Sequence, residues 1–127
     1  MEELITNVNW MAVVIGAIAA YALGALWYSQ KVFGKKWMQG SHIPESAQKN
    51  MMPAMFAQGV ATFLLAWVIG ITAVHDMLML AALIAVTIAA IVKAGGLFTG
   101  RSNYAIVVDS SFIVVMVVVM ILAHAIF

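Results

Sequence analysis

From Phe112 to Ala123 the chain runs through twelve residues without one polar side chain. A helix built from that run is apolar on every face, so it must be surrounded by protein or by lipid. The rest of the chain is poorly equipped to surround it. Hydrophobic types make up 65% of the 127 residues and charged types 9%, whereas a soluble domain draws about a quarter of its residues from Asp, Glu, Lys and Arg. Six basic and five acidic side chains are too few to cover a water-facing surface. An ordinary soluble domain is excluded, and so is a disordered chain, which offsets missing apolar area with charge. An integral membrane protein is expected.

About 20 apolar residues cross a bilayer core as a helix. Four stretches meet that length, at about 10–28, 53–74, 77–98 and 104–125. Together they use most of the chain, so one transmembrane domain over 1–127 is expected. Unpaired backbone groups are costly in hydrocarbon, and a barrel would show short alternating segments that are missing here. His75-Asp76 and Thr99 to Asn103 are short links, which place consecutive helices side by side and antiparallel. The predicted fold is all-α, an antiparallel four-helix transmembrane bundle.

The one long connection runs from Ser29 to Met52. Within it Val32, Phe33 and Trp37 alternate with Lys31, Lys35 and Lys36. That pattern suits an interfacial segment over 31–50 on a membrane surface, with a plain polar connection as the alternative. Pro44 suits the first turn of a short helix reaching about Met51. Pro53 either starts the second span or kinks a continuous helix.

All six basic residues (Lys31, Lys35, Lys36, Lys49, Lys93 and Arg101) fall on one side of this layout. The other side carries Glu2, Glu3, His75, Asp76 and His124. Cytoplasmic flanks collect lysine and arginine, so both termini are expected outside. The acidic start lacks the positive region of a signal peptide, so the first span is expected to be retained. Trp10 is placed at the outer interface, Trp27, Tyr28 and Trp37 at the inner one, and Trp67 deeper.

Small residues mark where spans approach closely. Ala12, Gly16, Ala20 and Gly24 form one stripe, and Ala81, Ala85 and Ala89 form another that continues to Lys93. Lys93 and Asp109 lie eight positions either side of Arg101 in the last hairpin, at matched depths of roughly 9 Å below the turn. Opposite charges at one depth on neighbouring helices are expected to pair, with Gln58, Ser110 and Ser111 completing a polar cluster. One reading is a structural ion pair; the other is a pocket or solute path, since intramembrane ionisable groups are functional candidates.

Other chemistry finds little support. Cysteine is absent, which removes thiolate sites and disulfides. His75, Asp76 and His124, with Met77 or Met79, match no established metal spacing, so no metal is expected. The methionines, including Met51, Met52 and Met55, read as flexible apolar filling. Net charge is +1 with no dense basic patch, which argues against nucleic acid. There are no paired carboxylates, phosphate-binding glycine loop or two-histidine helical motif, so no cofactor and no catalysis are expected.

Asn9-Trp10, then Gly24-Ala25-Leu26-Trp27-Tyr28, then Phe33-Gly34-Lys35-Lys36-Trp37 resemble a known pattern. It is that of a small bacterial four-span membrane family catalogued as a domain of unknown function. Arg101-Ser102-Asn103-Tyr104, continuing to Asp109-Ser110, resembles the same family's approach to its last helix. Where the family often has proline after W-Y, this chain has Ser29-Gln30. The resemblance implies that Trp10, Gly24, Trp27, Tyr28, Phe33, Gly34 and Trp37 form a shared structural signature, and it implies a bacterial inner membrane; it carries no activity. The expected role is a non-enzymatic membrane subunit, surrounded by lipid and associating through its helices as a homo-oligomer or within a larger complex. The alternative is a small oligomeric transporter or channel.

Overall fold

The computed structural model describes residues 2–29, 31–43 and 51–127. The expected short helix from Pro44 lies almost wholly outside these. Among the described residues there are six helices and no strand. They are α1 (Glu2–Ile5), α2 (Trp10–Trp27), α3 (Gly34–Gly40), α4 (Met52–Val74), α5 (Leu78–Phe98) and α6 (Asn103–Ile126). Four of them, α2, α4, α5 and α6, are long and apolar enough to cross a membrane.

Local chemistry sets the helix ends. The Asn9 side chain accepts a hydrogen bond from the Ala12 amide at 3.1 Å, and Ser102 does the same for Ala105 at 3.1 Å. Each satisfies an amide that a helix start leaves without a partner. Pro53 lies in the first turn of α4, where its missing N–H costs nothing. It therefore starts that helix and does not kink it. Asp76 (φ 53°) turns the chain between α4 and α5, and Gly100 (φ 73°) turns it between α5 and α6. α5 runs through Gly95-Gly96 without ending there.

The last helix is the hub. α6 packs extensively against α2 and α5 and also touches α3 and α4, while α2 packs on α4. The consecutive pair α4 and α5 share far less. A cavity of about 160 Å³, lined by Thr72, Asp76, Ala81 and His124 among others, lies between them and α6. The core is built from Val13, Ala20, Ala66, Ile69, Met116, Val117 and Met120. Small residues let α2 approach α6: a methyl built on Gly16 would sit 3.3 Å from the Ala123 Cβ, and one on Gly24 would sit 3.0 Å from the Phe112 ring. At the opposite end of α2, Trp10 packs against Trp67 with ring centroids 5.3 Å apart. The Trp67 indole donates to the Leu4 carbonyl at 2.7 Å, so it ties down α1.

Candidate functional site

Where α2 ends, Tyr28 caps it, its amide donating to the Gly24 carbonyl at 3.0 Å. The chain then folds back sharply. The Phe33 amide donates to the Trp27 carbonyl at 3.3 Å and the Gly34 amide to the Ser29 carbonyl at 2.8 Å. At Gly34 the backbone passes so close that a Cβ would collide with the Tyr28 carbonyl. Glycine is required there by this approach. The tight return launches α3, and α3 carries Trp37 back over the start of α6.

Three side-chain donors from separate segments meet on Asp109. The Tyr28 hydroxyl donates to Asp109 Oδ1 at 2.6 Å and the Trp37 indole N–H donates to the same oxygen at 2.8 Å. Arg101 Nη2 lies 2.5 Å from Oδ2. The same nitrogen donates to Ser41 Oγ at 2.6 Å, just past the end of α3. The Asp109 side chain is 14% exposed, so the carboxylate is held by charge-assisted bonds in place of water. Burial, followed by the bond to Asp109, pushes the Tyr28 phenol well above its ordinary pKa.

Aromatic rings wall this cluster. Tyr28 packs edge-on against Trp37 at 4.7 Å and against Phe112 at 5.4 Å, and Trp27 packs on Phe33 at 4.9 Å. The Trp27 indole donates to the Val108 carbonyl at 3.2 Å, one residue before Asp109. Phe33 reaches the Tyr104 ring, over which Lys36 Nζ sits at 5.5 Å. The connection closes on the last turn through the Ser102 amide, which donates to the Gly40 carbonyl at 2.9 Å. His42 Nε2 lies 3.3 Å from the Gly100 carbonyl.

This arrangement corrects the expected Lys93–Asp109 pair. Lys93 is exposed on α5, and the ion pair of Asp109 is with Arg101. Equal depth does not set direction around a helix. Residues four apart drift about 40° per step, so the fourth member of such a stripe lies about 120° from the first. The exposures follow that drift: Ala81 and Ala85 are buried, Ala89 is half-buried and Lys93 is exposed. Arg101 precedes α6, and its long side chain reaches down that helix to Asp109.

The rest of the expected polar cluster is divided. Gln58 lines the same cavity as Asp109, but its amide nitrogen donates to Thr62 Oγ1 at 3.1 Å. The Ser111 hydroxyl donates to the Val107 carbonyl at 2.6 Å, and the Ser110 hydroxyl is buried with no partner among the described residues. Arg101, Tyr28 and Trp37 are the partners that depth matching does not find. The signal was present in the W-Y and F-G-x-x-W elements, whose spacing brings two side-chain donors to one carboxylate.

At the other end of the molecule His124 and Asp76 line the cavity beside Thr72, while His75 is exposed. Among the described residues no three His, Asp or Glu side chains gather closely enough to hold a metal. Chemically, Asp109 is a carboxylate paired to a guanidinium, with two further donors on its other oxygen. It fastens α3 and the ends of α2 and α5 onto α6.

No curated protein and no solved structure matches the chain. A family model described as "Protein of unknown function (DUF1761)" matches residues 11–125, so the chain belongs to the DUF1761 family.

Proposed function

We propose that this is a small integral membrane protein, an antiparallel bundle of four spans, acting without catalysis as a subunit that associates through its helices. The observation that carries this reading is the state of α5. It packs along one stripe, chiefly on α6, and turns Leu83, Val86, Ile91, Leu97 and Phe98 outward. Ala90, Ala94 and Gly95 are also exposed, and a methyl built on Gly95 meets nothing within 4 Å. In lipid, an outward face with small residues lets a second helix come close enough for packing to hold it. The paired contacts Gly16–Ala123, Gly24–Phe112 and Gly96–Ile106 support antiparallel neighbours around α6.

A route for solutes finds less support. Among the described residues the polar residues buried as a whole are Thr62 and Thr72, and each hydroxyl donates to a carbonyl of its own helix. The lysine and arginine placement supports both termini outside a bacterial inner membrane.

The absence of cysteine makes a direct test simple. Single cysteines at Ala90 or Ala94 are expected to form cross-linked products in native membranes, whereas one at the outward Ile18 of α2 is not. Recovery of monomers alone from both α5 variants overturns the subunit reading. A cysteine at Lys35 is expected to react with an impermeant thiol reagent only after the membrane is opened.

A further inference from the structure

Two concavities on the α2–α4 side share a wall. The first, about 360 Å³, is lined by Tyr28, Trp37, Gln58, Asp109 and Phe112 together with apolar residues. The second, about 530 Å³, follows α4 past Phe56, Val60, Phe63 and Leu64 and is almost wholly apolar. Tyr21 and Met55 line both. The Tyr21 hydroxyl donates to the Met55 carbonyl at 3.0 Å, which fixes the boundary between them. Each volume lies in the range of about 300–1,000 Å³ usual for small-molecule sites.

The polar end has a definite chemistry. Gln58 lies six residues into α4 and Asp109 six into α6, so both are roughly 9 Å along their helices. Gln58 is exposed at that depth, where a polar side chain facing hydrocarbon is costly and one facing a cavity is not. Its nitrogen is engaged by Thr62, which leaves its carbonyl oxygen to accept. Asp109 Oδ2 receives Arg101 and retains a further lone pair. Among the described residues no basic side chain lines this cavity. Acceptors without a lining cation favour a head group that offers hydrogen-bond donors and disfavour an anion.

We propose that the two concavities form one site for a long-chain amphiphile, its uncharged or cationic donor-bearing head beside Gln58 and Asp109 and its chain along α4. This rests on the membrane reading above but not on self-association. Full-length protein in nanodiscs is titrated with labelled 1-monooleoylglycerol, with oleylamine and oleate as competitors. Saturable binding is expected, with oleylamine competing and oleate weaker by about tenfold or more, the scale of one mismatched buried polar contact. Gln58→Leu and Ala54→Phe are each expected to weaken binding about tenfold at unchanged thermal midpoint, while Val86→Leu on α5 leaves it unaltered. Non-saturable uptake, equal competition by oleate, or unchanged affinity in both cavity variants overturns the site. Release of the protein from membranes by salt alone overturns the membrane reading itself, which separates the two failures.

Discussion

The Trp37 indole N–H donates to Asp109 Oδ1 at 2.8 Å, across 72 positions of sequence, and so binds the long connection to the last helix. The Tyr28 hydroxyl reaches the same oxygen and Arg101 the other, which makes one carboxylate the meeting point of α2, α3, α6 and the last turn. Because these donors come from segments distant in sequence, their loss should be felt beyond the site itself.

Removing one partner of the ion pair should cost much more than removing both. Asp109→Leu leaves the Arg101 guanidinium partly buried and uncompensated, and is expected to destabilise the protein by about 3–5 kcal/mol. The double variant Arg101→Leu with Asp109→Leu should recover most of that loss, since two apolar side chains leave no orphaned charge. Denaturant titration in detergent, followed by tryptophan fluorescence, reads both. Equal losses in the single and double variants would refute the clasp.

Trp37→Phe keeps the ring against Tyr28 but removes the indole donor. A bond to a charged acceptor is worth about 1.5–3 kcal/mol, so an intermediate loss is expected, smaller than for Asp109→Leu. The same titration measures it, and a Trp37→Phe change made on top of Asp109→Leu should add little. Full additivity would place the indole's contribution in packing instead.

The all-helical fold and its four helices long and apolar enough to cross a membrane were legible because they depend on sums: sparse charge and four long apolar runs. Helix starts were less so: Pro53 suited a start or a kink alike, and the caps at Asn9 and Ser102 emerge only with the structure. The partner of Asp109 was not legible, because depth follows from counting residues while direction around the helix depends on drift and packing. Ala81 and Lys93 belong to one i, i+4 row, yet one is buried and the other exposed. Nor does counting reveal that an arginine outside a helix can reach a residue six positions into it. The W-Y and F-G-x-x-W elements did mark the right residues, but their meaning needed the sharp return at Gly34.

That return makes its own prediction. A methyl at Gly34 would strike the Tyr28 backbone carbonyl, which cannot rotate away as a side chain could. Gly34→Ala is expected to cost about 1–3 kcal/mol, the usual scale of overpacking. Gly95→Ala, with open space around its Cβ, should be neutral or gain up to about 1 kcal/mol from helix propensity. Thermal unfolding of the two variants in detergent, compared as monomers, tests the contrast.

Lys93 supplies a control for the Arg101–Asp109 pairing. Its side chain is exposed and makes no ion pair among the described residues. Lys93→Met should therefore change stability by no more than about 0.5 kcal/mol, as surface substitutions usually do. A loss matching that of Asp109→Leu would restore Lys93 as the partner of the carboxylate.

Tyr28 lies just beyond the end of α2, and its phenol is held well above its usual pKa by burial and then by the bond to Asp109. The sign follows from which form the fold favours. A raised pKa means that the neutral phenol is stabilised, so this contribution is complete below the unfolded value of about 10 and fades as pH rises above it. Stability should therefore be insensitive to Tyr28 through neutral pH and fall in alkali. Spectrophotometric titration is expected to show that wild-type protein and Tyr28→Phe develop the same tyrosinate absorbance while folded, the difference emerging only on unfolding. A Tyr28 signal near its ordinary pKa in the folded protein would mean that water reaches the phenol and that the bond to Asp109 is not maintained.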